Sequence, residues 1–212
     1  MKSKNLPMKK LVTSTLLVTG LSVAGVSSAF AGSSYFSGSM GMGYQSVPVL
    51  SNTGVSTSSD VQPAYSFSYG YESDVQNNWS GGLEGGYTYF GTANVSSTAG
   101  NVKARTAAWD FAGFAAYHVN KQWSIFGKGG MALMFSSINY DGNGHNNDSS
   151  EFNPLLGAGV RYNVNEQLSF DASTTHYFGD TASSVGNSQA LGDSRVVPSI
   201  TTFMVGVQYK FK

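Results

Sequence analysis

Eight stretches of this chain alternate apolar or aromatic residues with small or polar ones at a period of two. That alternation is the signature of β-strands whose two faces meet different surroundings. The closing stretch "VGVQYKFK" places Val205, Val207, Tyr209 and Phe211 on one edge and Gly206, Gln208 and Lys210 on the other. In a soluble sandwich the apolar edge packs inward, whereas in a membrane barrel it points out into lipid and the polar edge lines the lumen.

The other segments decide between these. "FSGSMGMGYQ" sets Phe36, Met40, Met42 and Tyr44 against Ser37, Ser39, Gly41, Gly43 and Gln45, and "AYSFSYGYE" sets Tyr65, Phe67, Tyr69 and Tyr71 against Ala64, Ser66, Ser68, Gly70 and Glu72. Trp79, Leu83, Tyr87 and Tyr89 oppose Ser80, Gly82, Glu84, Gly86 and Thr88. Trp109, Phe111, Ala115 and Tyr117 oppose Asp110, Ala112 and His118, a pattern blurred by Phe114. "WSIFGKGGMALMF", "PLLGAGVRYN", "LSFDASTTHYF" and Ser199 to Phe211 repeat the alternation, with Phe126 and Met134 diluting the polar face of the first of these. The polar face thus carries Ser, Gly, Thr, Glu, Lys, Arg and Asp, unlike the apolar interior of a lipocalin-like barrel.

Connections alternate in length. "SDVQNN", "NKQ" and "VNEQ" are short, whereas Ser46 to Asp60, Gly91 to Ala104, Asp141 to Glu151 and Gly179 to Pro198 are long and polar. Short turns at one end and long loops at the other describe an all-β, eight-stranded antiparallel up-and-down transmembrane barrel. Tyr71, Trp79, Tyr117, Trp123, Tyr162, Tyr209 and Phe211 cluster beside the short turns, where an aromatic girdle meets the headgroups.

The amino-terminal end reads as an export signal. Lys2, Lys4, Lys9 and Lys10 precede a modest apolar run that ends at Ala29-Phe30-Ala31, so residues 1–31 are expected to be a cleaved signal peptide and 32–212 the barrel domain. Cleavage leaves eight Lys and Arg against twelve Asp and Glu, a net charge of −4 that gives nucleic acid no basic face. The chain has no cysteine, so the fold stabilises itself without disulfides.

Parity sends Glu84, Asp110, Lys128, Arg161 and Asp171 into the lumen, where unpaired charges are costly and should pair. Arg161 and Asp171 flank one short turn on adjacent strands and are the first expected bridge; Glu84 with Lys128, at similar height, is the second.

"GGLEGGYTYFG", "IFGKGGMAL", "PLLGAGVRY", "NEQLSFDAS" and the closing "GVQYKFK" resemble, in order and spacing, successive strands of the transmembrane domain of the outer-membrane protein A family. The resemblance spans residues 32–212 apart from the loops. It implies a narrow lumen blocked or gated by charges, and three family positions for them fall on Glu84, Arg161 and Asp171. The last two carry the opposite charge to the family's pattern, and Phe114 stands at a lysine position. The resemblance also implies a bacterial outer-membrane location, partners in outer-membrane lipid and lipopolysaccharide, and recognition of the terminal aromatic strand by the barrel-assembly machinery. The family's larger members append a peptidoglycan-binding domain, which is not expected in a chain ending at Lys212.

Catalytic and metal chemistry finds little support. His176 faces lipid near the outer rim, but Phe178 stands two residues on where a serine would be needed, and no acid shares its face. His118 and His145 lack zinc spacing, and "DGNGHNND" (Asp141 to Asp148) lacks the fifth-position ligand, the glycine and the closing Glu of a calcium loop. No cofactor and no metal are implied. The expectation is a non-enzymatic surface protein whose four loops contact a host or cell-surface ligand, with a small diffusion pore as the alternative and a lipid A-modifying enzyme third.

Overall fold

A computed structural model describes residues 32–51, 54–97, 100–140, 146–180 and 197–211. The expected signal peptide and His145 lie outside these residues. The strands are β1 (Gly32–Ser51), β2 (Gly54–Ser73), β3 (Trp79–Ser97), β4 (Gly100–His118), β5 (Trp123–Tyr140), β6 (Asn146–Asn163), β7 (Leu168–Tyr177) and β8 (Ser199–Phe211). Each pairs with its sequence neighbours, and β1 pairs antiparallel with β8 to close an eight-stranded barrel.

Side chains follow the parity of the sequence. Phe67, Leu83, Phe111 and Phe203 point outward and are 71%, 72%, 60% and 62% exposed, respectively. In water such a surface would drive association; in hydrocarbon it is the solvated surface. Tyr35, Glu72, Thr88, Arg161 and Gln208 alternate with the outward set and are buried in the lumen.

The short turns are built by asparagine. Asn77 and Asn78 both have positive φ, 50° and 67°, and Gln76 and Trp79 exchange backbone hydrogen bonds across them. Two left-handed residues in a two-residue loop match the twist of the strands they join, and asparagine tolerates that region well. In the other two turns Asn120 Oδ1 accepts from the amides of Gln122 and Trp123, and Asn165 Oδ1 accepts from those of Gln167 and Leu168, at 2.7–2.9 Å. "VNKQ" and "VNEQ" are thus one turn used twice.

The polar links expected as long loops are largely strand. β1 to β6 run for 18–20 residues, whereas crossing the bilayer takes about 9–11. β1 pairs with β2 as far as Ser51 and Gly54, and β3, β4, β5 and β6 stay paired to Ser97, Gly100, Asn139 and Asn146. Their polar composition hides the strands: above the membrane the outer face meets water and no apolar edge is required there, while Val47, Ala93 and Ala104 are buried on the inner face. The last link, Gly179 to Pro198, begins and ends as irregular chain held by a bridge between Asp180 and Pro198; its residues 181–196 lie outside the described set.

Lateral pairing ends lower in two places. The β2–β3 ladder stops at Tyr65 and Tyr89, just below Pro63, and the β6–β7 ladder stops at Leu155 and Tyr177, just below Pro154. Proline has no N–H to give a ladder. Gly91, with φ of 80°, forms a bulge where β3 shifts register between Tyr89 and Thr92. Gln45 Nε2 donates to Phe90 O at 2.7 Å and Asp60 Oδ2 accepts from the Asn94 amide at 2.8 Å, so side chains bridge β3 to β1 and β2 above the point where the ladder ends.

Glycine on the inner face lets strands approach closely. A Cβ on Gly130 would collide with the backbone of Phe111 and Ala112, whereas one on the outward Gly127 would meet nothing nearer than 3.9 Å. Gly130→Val should therefore abolish the compact, heat-modifiable band on unboiled gels, and Gly127→Ala should preserve it.

Candidate functional site: the lumen and the outer rim

The lumen is occupied in tiers. At the turn end Glu72 is the hub: Arg161 Nη1 lies 3.0 Å and Lys210 Nζ 2.8 Å from its Oε2, and Ser80 Oγ donates to its Oε1 at 2.7 Å. His118 Nε2 is 2.9 Å from Ser80 Oγ and 4.0 Å from Glu72 Oε1. The Arg161 guanidinium also lies 5.3 Å from the centre of the Phe126 ring, a cation–π contact.

One level up, Glu84 accepts from Tyr35 at 2.9 Å and pairs with Lys128 at 3.3 Å. Phe114 packs edge-on to Tyr35, with ring centroids 6.2 Å apart. A cavity of about 50 Å³ between Ser37, Ser66, Ser68, Asp171 and Thr175 leaves room for a few waters. Above it, Asp110 Oδ2 accepts from Thr88 at 2.5 Å and Tyr177 at 3.2 Å. The outer half holds an apolar cluster: Phe90, Ala108, Ala132, Met134, Leu155, Val197 and Ile200 pack together with Tyr177, with buried Gln45, Thr106 and Ser136 alongside.

The expected pairing of Arg161 with Asp171 does not form. The two are register partners across β6 and β7, but Arg161 turns across the lumen to Glu72, and among the described residues no cation lies within 4.0 Å of Asp171. Arg161, Lys210 and Ser80 together satisfy both oxygens of the buried Glu72 carboxylate. Lys128 does face Glu84, while Asp110 has hydroxyl partners in place of a cation. The sequence reading missed Glu72, Lys210 and Tyr35 as network members. Parity places Glu72 on the inner face, and Tyr35 lies one residue before the first alternating segment.

Beside the turns, the aromatic set faces outward. Trp79 stacks on Tyr117 at 5.2 Å, Trp123 on Tyr162 at 5.0 Å, and Phe211 on Phe36 at 5.4 Å; Tyr209 is half exposed and Tyr71 lies against Gly32. Tyr87 and Trp109 pair at 5.2 Å near the other rim. Trp79 and Tyr89 are ten residues apart on β3, which at about 3.3 Å per residue and a tilt near 40° spans roughly 25 Å, the height of an outer-membrane apolar band.

His176 has hydroxyl neighbours that its own strand does not show. β8 brings Thr201 Oγ1 to 2.8 Å from Nδ1 and Ser199 Oγ to 3.4 Å from Nε2, while Ser199 also donates to Tyr177 O at 3.3 Å. No carboxylate orients the ring within 4.0 Å among the described residues, and no group of side chains there is arranged to hold a metal.

Removing Glu72 would leave Arg161 and Lys210 buried without their counter-charge. Breaking a buried pair in this way costs about 3–5 kcal/mol. Glu72→Ala should lower the guanidinium midpoint of refolded protein in micelles accordingly, and Asp171→Asn should change it by less than about 1 kcal/mol.

Comparisons with known proteins agree with this architecture. Residues 13–211 match the family described as outer membrane protein beta-barrel domain. A search of curated proteins gives no match. Among solved structures, Neisserial surface protein A is 14% identical with a TM-score of 0.55, over 84% of this chain and 97% of that one. Ail, the attachment invasion locus protein of Yersinia pestis, solved with the heparin analogue sucrose octasulfate, is 16% identical with a TM-score of 0.50, over 85% and 99%. At these identities the likeness carries the fold. With the family match covering nearly the whole length, this chain belongs to the outer membrane protein beta-barrel family and is a protein of the bacterial outer membrane.

Proposed function

We propose that this protein is a non-enzymatic surface barrel that acts through the sheet above the outer membrane, its lumen being closed to flow. Residues 1–31 are its cleaved leader and 32–212 its mature domain. The observation that carries the reading is the contrast across the outer rim. Below it, ion pairs at Glu72 and Glu84 and the apolar cluster around Phe90 and Met134 fill the interior. Above it, β3 to β6 continue as a four-stranded sheet and β1 with β2 as a hairpin.

In that role the partners are outer-membrane lipid and lipopolysaccharide, the barrel-assembly machinery during biogenesis, and a host or cell-surface ligand on the exposed sheet. Ail is named for attachment and invasion and was solved with a heparin analogue, which supplies the analogy for such a ligand. His176 supports no catalysis in this reading, because Ser199 is already committed to a backbone carbonyl and the imidazole lacks an acidic orienter.

Planar-bilayer recordings test the closed lumen against a diffusion pore. Wild-type mature protein should show no conductance steps, and neither should Arg161→Ala, because the apolar tier remains. Adding Phe90→Ala and Met134→Ala to Arg161→Ala should produce small, steady steps. Steady conductance in the wild type would make the diffusion pore the correct reading.

A further inference from the structure

Resting on the reading that lipopolysaccharide is a partner of this barrel, we propose that Lys103 and Arg105 form a docking site for the phosphate groups of the outer-leaflet glycolipid. Both lie on β4 and point away from the lumen: they are exposed, and they alternate with Ala104 and Thr106, which are buried. Of the other described Lys and Arg residues, Lys128, Arg161 and Lys210 turn into the lumen and Lys121 sits in a short turn at the opposite end. These two are therefore the described cations of the outer rim.

Their height is set by the strand. Arg105 stands four residues beyond Trp109, roughly 10 Å higher along the barrel for a tilt near 40°, which moves it from the aromatic boundary into the headgroup layer. Its guanidinium carbon lies 5.4 Å from the centre of the Tyr89 ring. Stacking of this kind fixes the plane of the group while its N–H donors point outward, a geometry suited to bidentate phosphate binding. Among the described residues, no carboxylate lies within 4.0 Å of either cation, so neither charge is neutralised by a described side chain.

The adjoining surface has the polarity of such a lipid. A groove of about 390 Å³ beside Arg105 has Tyr87 and the row Tyr89, Ala107, Phe135 and Ser150 at its membrane side, and the row Arg105, Ser137 and Asp148 farther out. A mainly aromatic foot under a polar head that carries Arg105 fits acyl chains below a phosphorylated sugar. A soluble polyanion would leave the apolar foot unused, which favours the lipid. Register places Arg105, Ser137 and Asp148 in one row across β4, β5 and β6, so Asp148 is the one carboxylate of the groove and opposes the phosphate.

The test uses mature protein refolded in phosphatidylcholine nanodiscs and titrated with bisphosphorylated lipid A, with bound lipid read by native mass spectrometry. Arg105→Gln and Lys103→Gln should each weaken binding roughly fivefold and the double variant about 25-fold, and Asp148→Asn should strengthen it. Heat-modifiable migration confirms that each variant is folded, and dephosphorylated lipid A should bind wild type as weakly as lipid A binds the double variant. Unchanged binding in the double variant, or equal binding of dephosphorylated lipid A, would overturn the proposal. So would displacement by sucrose octasulfate or inorganic phosphate at concentrations matching lipid A, since the site would then be a general anion surface.

Discussion

Hydrocarbon offers the backbone no hydrogen-bond partner, and the rest of this molecule follows from that. Each unpaired N–H or C=O in the bilayer costs several kcal/mol, so a sheet that crosses must close on itself. Here β1 meets β8 in register from Ser34 opposite Phe211 to Ser46 opposite Ser199, and no strand edge faces lipid between the two aromatic levels. Eight strands close around an interior just wide enough for side chains. Charges placed there have little water and so must find one another. Glu72 meets this demand by gathering Arg161, Lys210 and Ser80 from three other strands.

The interior is not uniform along its axis. Its turn-side half is polar and tied by charged groups, while its outer half is a small apolar core built around Phe90, Met134 and Ile200. The lipid face is thus mainly apolar along the barrel, whereas the interior gathers a continuous apolar cluster near the outer rim. Tyr177 joins the halves: its ring packs edge-on to Phe90 at 4.8 Å and its hydroxyl donates to Asp110. Phe114 and Phe126, which blurred the polar face in the sequence, are the side chains that pack against Tyr35 and Arg161.

Alternation made the closed barrel and its inward face legible, because a period of two fixes which side of the sheet every residue takes. It located the membrane-embedded part of each strand rather than the strand's ends. The alternating segments that start at Ala64 and Pro154 begin one residue before lateral pairing to β3 and β7, while β2 and β6 themselves run well beyond. Partners within the lumen were less legible. Arg161 has Asp171 beside it in register yet reaches Glu72, because the choice depends on side-chain reach across a closed ring, which linear spacing does not encode. Ser199 was missed beside His176 for a related reason: the two are brought together by the register of β7 and β8, not by proximity along one strand.

The unequal height of β6 and β7 leaves the upper part of β6, from Asn146 to Asn153, with a strand neighbour on the β5 side alone among the described residues. A bare strand edge invites another to pair with it, and a bacterial surface crowded with identical barrels would supply many such edges. This one carries exposed Asp148 and Glu151 and is stopped at its base by Pro154. Facing copies would bring like charges together and find no amide to bond at the proline. The same residues that end the wall of the barrel are thus of the kind that disfavours pairing between sheet edges.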